Sequence, residues 1–171
     1  ITEPETWDYL AGGSETETTL RRNRQALDEI AFSPRVLRNV TNIDASRVVL
    51  GISMRLPVFL APMGSITQLD PSGAVAPALA AKEFGIAAFL SSVCHPGIEA
   101  TMKDGGGNLI FQLYVRGDDH WVMDRLAEAT ELGYKAFCIT VDSANYGRRE
   151  RDKLRGFTPQ ARINLSGIDY Q

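Results

Sequence analysis

Four short, largely apolar segments recur between residues 56 and 142, and each of the first three is followed by a stretch patterned as a helix. They are LPVFLAP (56–62), AAFLSS (87–92), LIFQLYV (109–115) and AFCITVD (136–142). The intervening stretches are DPSGAVAPALAAKEFG (70–85), a helix from Pro96 to about Lys103, and DDHWVMDRLAEATELG (118–133). In the first, Asp70 is an expected N-cap, Pro71 the first helical position and Gly85 the stop. In the last, Val122, Leu126 and Ala129 share one face. Strands apolar on both faces, alternating with amphipathic helices, predict a parallel sheet covered by helices. A (β/α)8 barrel and a doubly wound open sheet share this local grammar.

Residues 1–55 read differently, as helical and then irregular. Thr2–Glu5 and Ser14–Glu17 both fit a capping box, with Gly12 and Gly13 between them. TLRRNRQALDEIAF has the mixed charge of a half-exposed helix, and the segment from Pro34 onward reads as a connector.

Composition bounds the rest. With 171 residues, 44% of them hydrophobic, one domain is expected. A formal charge of −3 gives no reason to expect nucleic acid as a partner. No apolar run approaches the ~20 residues that span a bilayer. Cys94 and Cys138 form no CxxC motif and are expected as buried thiols in a reducing compartment, hence a cytoplasmic location. His95 and His120 lack partners at ligand spacing, so no metal site is expected.

Three strands carry polar groups at their carboxyl ends, where parallel α/β folds bind ligands. These are Ser91 and Ser92, then Gln112 and Tyr114, then Thr140 and Asp142. Members of the last two pairs are two positions apart and so share a face. The Gln112 amide and Thr140 hydroxyl suit a heterocycle edge with alternating N–H and C=O groups. Gly64, in APMGS, lets a planar ring approach the backbone. Arg149, in GRRERDKLRG, can clamp a carboxylate in bidentate fashion.

With these residues in place, the chain resembles the N-terminal half of the FMN-dependent 2-hydroxy acid oxidases and dehydrogenases, the family of glycolate oxidase, lactate oxidase and mandelate dehydrogenase. The resemblance lies in DYLAGGSETETTLRRNRQAL, PRVLRNVTNID, LPVFLAPMG, LSS followed by IE, FQLYV, GYKAFCITVD and GRRERDKLRGF, in that order. It implies a (β/α)8 barrel with FMN at the carboxyl ends of the strands. Residues 1–55 would be a lead-in, and 56–171 the first half of a single FMN-binding barrel. The backbone of Pro62, Met63 and Gly64 would lie against the flavin near N5, and Ser91, Gln112 and Thr140 would bond its polar edge. Tyr9 and Arg149 would take the substrate carboxylate, with Tyr114 near the hydroxyl oxygen as the catalytic residue of this half. Asp142 would orient the catalytic groups from behind.

The implied reaction oxidises an L-2-hydroxy acid to the 2-keto acid, with hydride passing to N5 and electrons then to oxygen or another acceptor. The family's catalytic His, second substrate Arg, flavin-binding Lys and phosphate loops belong to the other half of the barrel. That half, in the same polypeptide or a second chain, is an expected partner, as is assembly into a homotetramer or larger. Val93 and Leu10 replace aromatic residues common in the family, which implies room for a bulkier acid. A related FMN-dependent isomerase and a non-catalytic half-barrel are the alternative readings.

Overall fold

The computed structural model describes residues 3–142 and 147–158. In chain order the elements are α1 (Pro4–Ala11), α2 (Thr18–Asp28), β1 (Arg47–Val49), β2 (Ile52–Met54), β3 (Phe59–Leu60), a 3-10 turn (Ile66–Gln68), α3 (Val75–Phe84), β4 (Ala87–Ser91), α4 (Ile98–Asp104), β5 (Asn108–Tyr114), α5 (Asp119–Glu131), β6 (Ala136–Thr140) and α6 (Glu150–Arg155). The described residues fall into two compact units, one built from residues 3–44 and 147–158, the other from 45–142.

The second unit holds a four-stranded parallel sheet in the order β3-β4-β5-β6, each strand beside the next one in sequence. Period-2 alternation divides its side chains cleanly. Leu60, Ala88, Leu90, Leu109, Phe111, Leu113 and Phe137 face the helices, where Ala78 and Ala81 of α3 and Ala129 of α5 complete the core. Phe59, Ala87, Phe89, Ile110, Ala136 and Cys138 form the other face, and Val49, Ile52 and Met54 of the β1–β2 hairpin pack against them. The hairpin closes through Leu50 and Gly51, both at positive φ (52° and 73°), the signature of a two-residue primed turn. It occupies part of the stretch expected to be an irregular connector.

Helix starts differ from expectation for local reasons. Asp70 does not cap α3: its carboxylate accepts from the Ser72 backbone N–H at 2.8 Å and from the Ser72 hydroxyl, closing an Asx turn. Those bonds hold the Asp70 carboxyl below its ordinary range, the Ser72 hydroxyl contributing most. Gly73 then takes a left-handed φ of 58° and the helix begins at Val75. Its stop is as expected, with Gly85 in the left-handed conformation. Asp118 caps α5 by accepting from the Trp121 N–H at 2.9 Å. Cys94 is buried and Cys138 half-buried, both as free thiols.

In the first unit, α1 starts at Pro4 without a side-chain cap; Thr2 of the expected capping box lies outside the described residues. The second expected box is replaced by a variant. Glu17, itself in the left-handed region, reaches back to the Gly13 N–H at 3.1 Å, and α2 follows with no buried residue. Arg151 pairs with Glu17 at 2.7 Å and with Asp8 at 3.8 Å, while Arg155 pairs with Asp8, tying α6 to α1 and the α2 start.

Among the described residues no helix is long and apolar enough to cross a membrane, and no three His, Cys, Asp or Glu side chains cluster as a metal would require.

Candidate functional site

The sheet brings the polar strand ends together. Ser91 of β4 is in register with Gln112 of β5, and Tyr114 with Thr140 of β6. All four lie on the face opposite the helices, since their neighbours Leu90, Phe111 and Leu113 point into the helical core. Ser91 and Gln112 are almost fully buried, at 4% and 1% exposure, and Tyr114 and Thr140 are half-buried.

Gln112 Nε2 donates to Thr140 Oγ1 at 2.6 Å. Its Oε1 is buried with no hydrogen-bond partner among the described residues. Turning the amide over would only transfer the deficit to nitrogen, because Thr140 can satisfy one end of it alone. A buried amide with one end unsatisfied costs about 1–3 kcal/mol. That cost is removed by a ligand with a complementary polar edge. The backbone supports the arrangement: Ser92 N–H donates to the Gln112 carbonyl at 2.8 Å, the Tyr114 N–H to Ser92 Oγ at 3.1 Å, and Val93 N–H to Ser91 Oγ at 3.3 Å. Ser92 thus fixes the turn after β4, a role its sequence position did not disclose.

Pro62, Met63 and Gly64 follow β3 after Ala61; Met63 is exposed and Gly64 half-buried. A small apolar cavity of about 170 Å³ lies beside them, lined by Leu60, Met63, Pro77 and Phe89 among others. Asp142 is solvent-exposed, two residues beyond β6. Val93 is buried and Leu10 exposed.

Tyr9 and Arg149 belong to the other unit, and there they meet. The Arg149 Cζ lies 4.8 Å from the Tyr9 ring centre, a cation–π contact, and Phe157 packs on the same ring with centroids 5.9 Å apart. Arg149 Nε donates to Asp152 Oδ2 at 2.9 Å, and Nη2 donates to the carbonyls of Gly12, at 3.0 Å, and Tyr9. These carbonyls end α1 and have no intrahelical donor, so a cation there is doubly favoured. Asp152 and Phe157 were not singled out from the sequence. The Arg-x-x-Asp spacing entering α6 was the available signal for Asp152.

The donor set fits an isoalloxazine. A buried, half-satisfied amide beside a hydroxyl suits its edge of alternating N–H and C=O groups, and Ser91 lies at the same level of the sheet.

Comparison with known proteins agrees. The family description "FMN-dependent dehydrogenase" matches residues 1–169. Glycolate oxidase 3 of Arabidopsis thaliana is 38% identical over 166 residues, covering 95% of this chain and 45% of that protein. Glycolate oxidase of Spinacia oleracea is 37% identical, with the same coverage. Among solved structures, a mandelate oxidase bound to 3,3-difluoro-2-hydroxy-3-phenylpropionic acid superposes with a TM-score of 0.86 at 34% identity, over 92% of this chain and 47% of that one. A soluble mutant of the membrane-associated (S)-mandelate dehydrogenase from Pseudomonas putida superposes equally well at 32% identity, over 99% of this chain and 49% of that one. The chain thus spans about half the length of the proteins it matches. The sheet β3–β6 is part of a (β/α)8 barrel, and the doubly wound alternative falls away.

Proposed function

The chain belongs to the FMN-dependent dehydrogenase family, and from that membership we propose that the complete protein oxidises an L-2-hydroxy acid to the corresponding 2-keto acid. The observation that carries the reading is the buried Gln112 amide, bonded to Thr140 at one end and, among the described residues, unsatisfied at the other. Both units, with the remaining half of the barrel in the same polypeptide or a second chain, would form one FMN-binding domain, assembled as a homotetramer or larger. Two free thiols favour a reducing compartment such as the cytoplasm.

Bound FMN supplies the two-electron acceptor that no side chain offers. The chain's own residues hold and orient. Ser91, Gln112 and Thr140 take the polar edge of the ring, and the backbone of Pro62, Met63 and Gly64 lies along it. Tyr9 and Arg149 hold the substrate carboxylate, and Tyr114 keeps the hydroxyl oxygen in place while a His from the other half removes its proton. Asp142 assists that orientation from behind. Fixing both ends of a small acid converts an encounter into a defined geometry, and that orientation contributes to the rate.

Val93 and Leu10, smaller than the aromatics common at these positions, favour an aromatic hydroxy acid, as does the likeness to mandelate enzymes. Incubating the complete protein with mandelate, lactate and glycolate separately, and identifying the product by mass spectrometry, tests the reading. The matching keto acid should form, fastest from mandelate. An isomerase would form none.

A further inference from the structure

The Arg149 guanidinium is fixed through two of its three nitrogens. Nε is bound by Asp152 and Nη2 by two main-chain carbonyls, whereas Nη1 makes no hydrogen bond among the described residues. Because the five N–H groups lie in one rigid plane, binding Nε and Nη2 determines where Nη1 points. Asp152 is 3% exposed, and its Oδ1 is buried without a partner among the described residues.

The pair is made through one carboxylate oxygen, not the stronger bidentate geometry that best serves an ion pair holding two helices together. Burying a carboxylate with one oxygen unsatisfied is a poor way to gain stability. The tie between α6 and α1 is in any case made by Arg151 and Arg155 on Asp8 and Glu17. What Asp152 adds, and they do not, is the orientation of Arg149.

We propose that Asp152 is a positioning residue for substrate recognition: it locks the Arg149 guanidinium so that Nη1 is presented to the carboxylate of the 2-hydroxy acid. This rests on the reading that Arg149 grips that carboxylate. It adds that the grip depends on a buried acid which itself never touches substrate.

The test compares Asp152→Asn and Asp152→Glu in the complete holoenzyme, alone and with Arg149→Met, using a 2-hydroxy acid and its uncharged amide as substrates. Asp152→Asn should raise KM for the acid tenfold or more with a smaller change in kcat. It should leave KM for the amide, flavin content and melting temperature nearly unchanged. Asp152→Glu should restore part of the loss, and Asp152→Asn should cost nothing further once Arg149 is Met. An unchanged KM for the acid, equal losses for acid and amide, or a full loss persisting in the Arg149→Met background would each overturn the proposal. If the Asn variant does not fold, the Glu variant carries the same acid-against-amide comparison. A wild-type protein that turns over no hydroxy acid would refute the functional reading and this proposal together; an active wild type with an indifferent Asp152→Asn refutes this proposal alone.

Discussion

Gln112 and Thr140 join neighbouring parallel strands by a 2.6 Å side-chain hydrogen bond that leaves the Gln112 Oε1 buried and without a partner among the described residues. The arrangement is unfavourable for the chain by itself and favourable for a chain holding a polar ring. Gln112→Leu should therefore act in opposite directions on the two states. Without flavin it should leave stability unchanged or raise it by about 1 kcal/mol, because an unsatisfied buried group is removed. With flavin it should weaken binding at least tenfold. Urea unfolding of the apoprotein and quenching of free-flavin fluorescence measure the two effects.

A close approach of backbones governs the entry to α3. A Cβ built on Gly73 lies 2.3 Å from the His95 carbonyl oxygen, which itself accepts the Ala74 N–H at 2.8 Å, and φ is +58°. Gly73→Ala should cost about 2 kcal/mol or more, since both the strain and the clash fall on main chain. Thermal unfolding gives the value; a shift within error would contradict the packing described.

Much of this was legible in the sequence, and what was not has identifiable causes. The four core strands announced themselves because parallel strands are apolar on both faces, although β3 narrows to Phe59–Leu60. Gln112, Tyr114 and Thr140 stood out because polar groups on one face at strand ends conflict with such a core. The β1–β2 hairpin was missed because its turn uses Leu50 where Asn or Asp is the usual signal. The start of α3 was misplaced because Asp70 spends its carboxylate on Ser72. Asp152 was hidden in a run of alternating charges; its i,i+3 spacing from Arg149 was a weak signal, and burial is what sets it apart from Glu150 two residues earlier.

Burial pushes the Cys94 thiol up to about 11 from an ordinary value of 9.0. The folded state therefore holds the proton more tightly than the unfolded one. Stability should be flat below pH 9 and fall between pH 9 and 11 by on the order of 2 kcal/mol. Tyr134 is raised as well, chiefly by burial, and steepens the loss at higher pH. Cys94→Ala should flatten the first part of that decline in denaturation curves collected across this range.

The Glu17 carboxyl is held below its ordinary value of 4.5, first by the Arg151 side chain and then by the Gly13 N–H. Its contribution is present above pH 4.5 and lost as pH falls through the lowered value. Glu17→Gln should make amide exchange in α2 and α6 faster at neutral pH and remove part of its acid sensitivity. Salt should reproduce part of the effect, because the pair is only half-buried and so partly open to screening. Exchange rates indifferent to both would show that the pair does not hold these helices.

If the complete protein holds FMN and passes electrons to it from a 2-hydroxy acid, its visible spectrum will show both. The purified protein should be yellow, and its flavin absorbance should bleach when an L-2-hydroxy acid is added without oxygen but not with the D enantiomer. A yellow protein left unbleached by every 2-hydroxy acid, or a protein that binds no flavin at all, would contradict the reading.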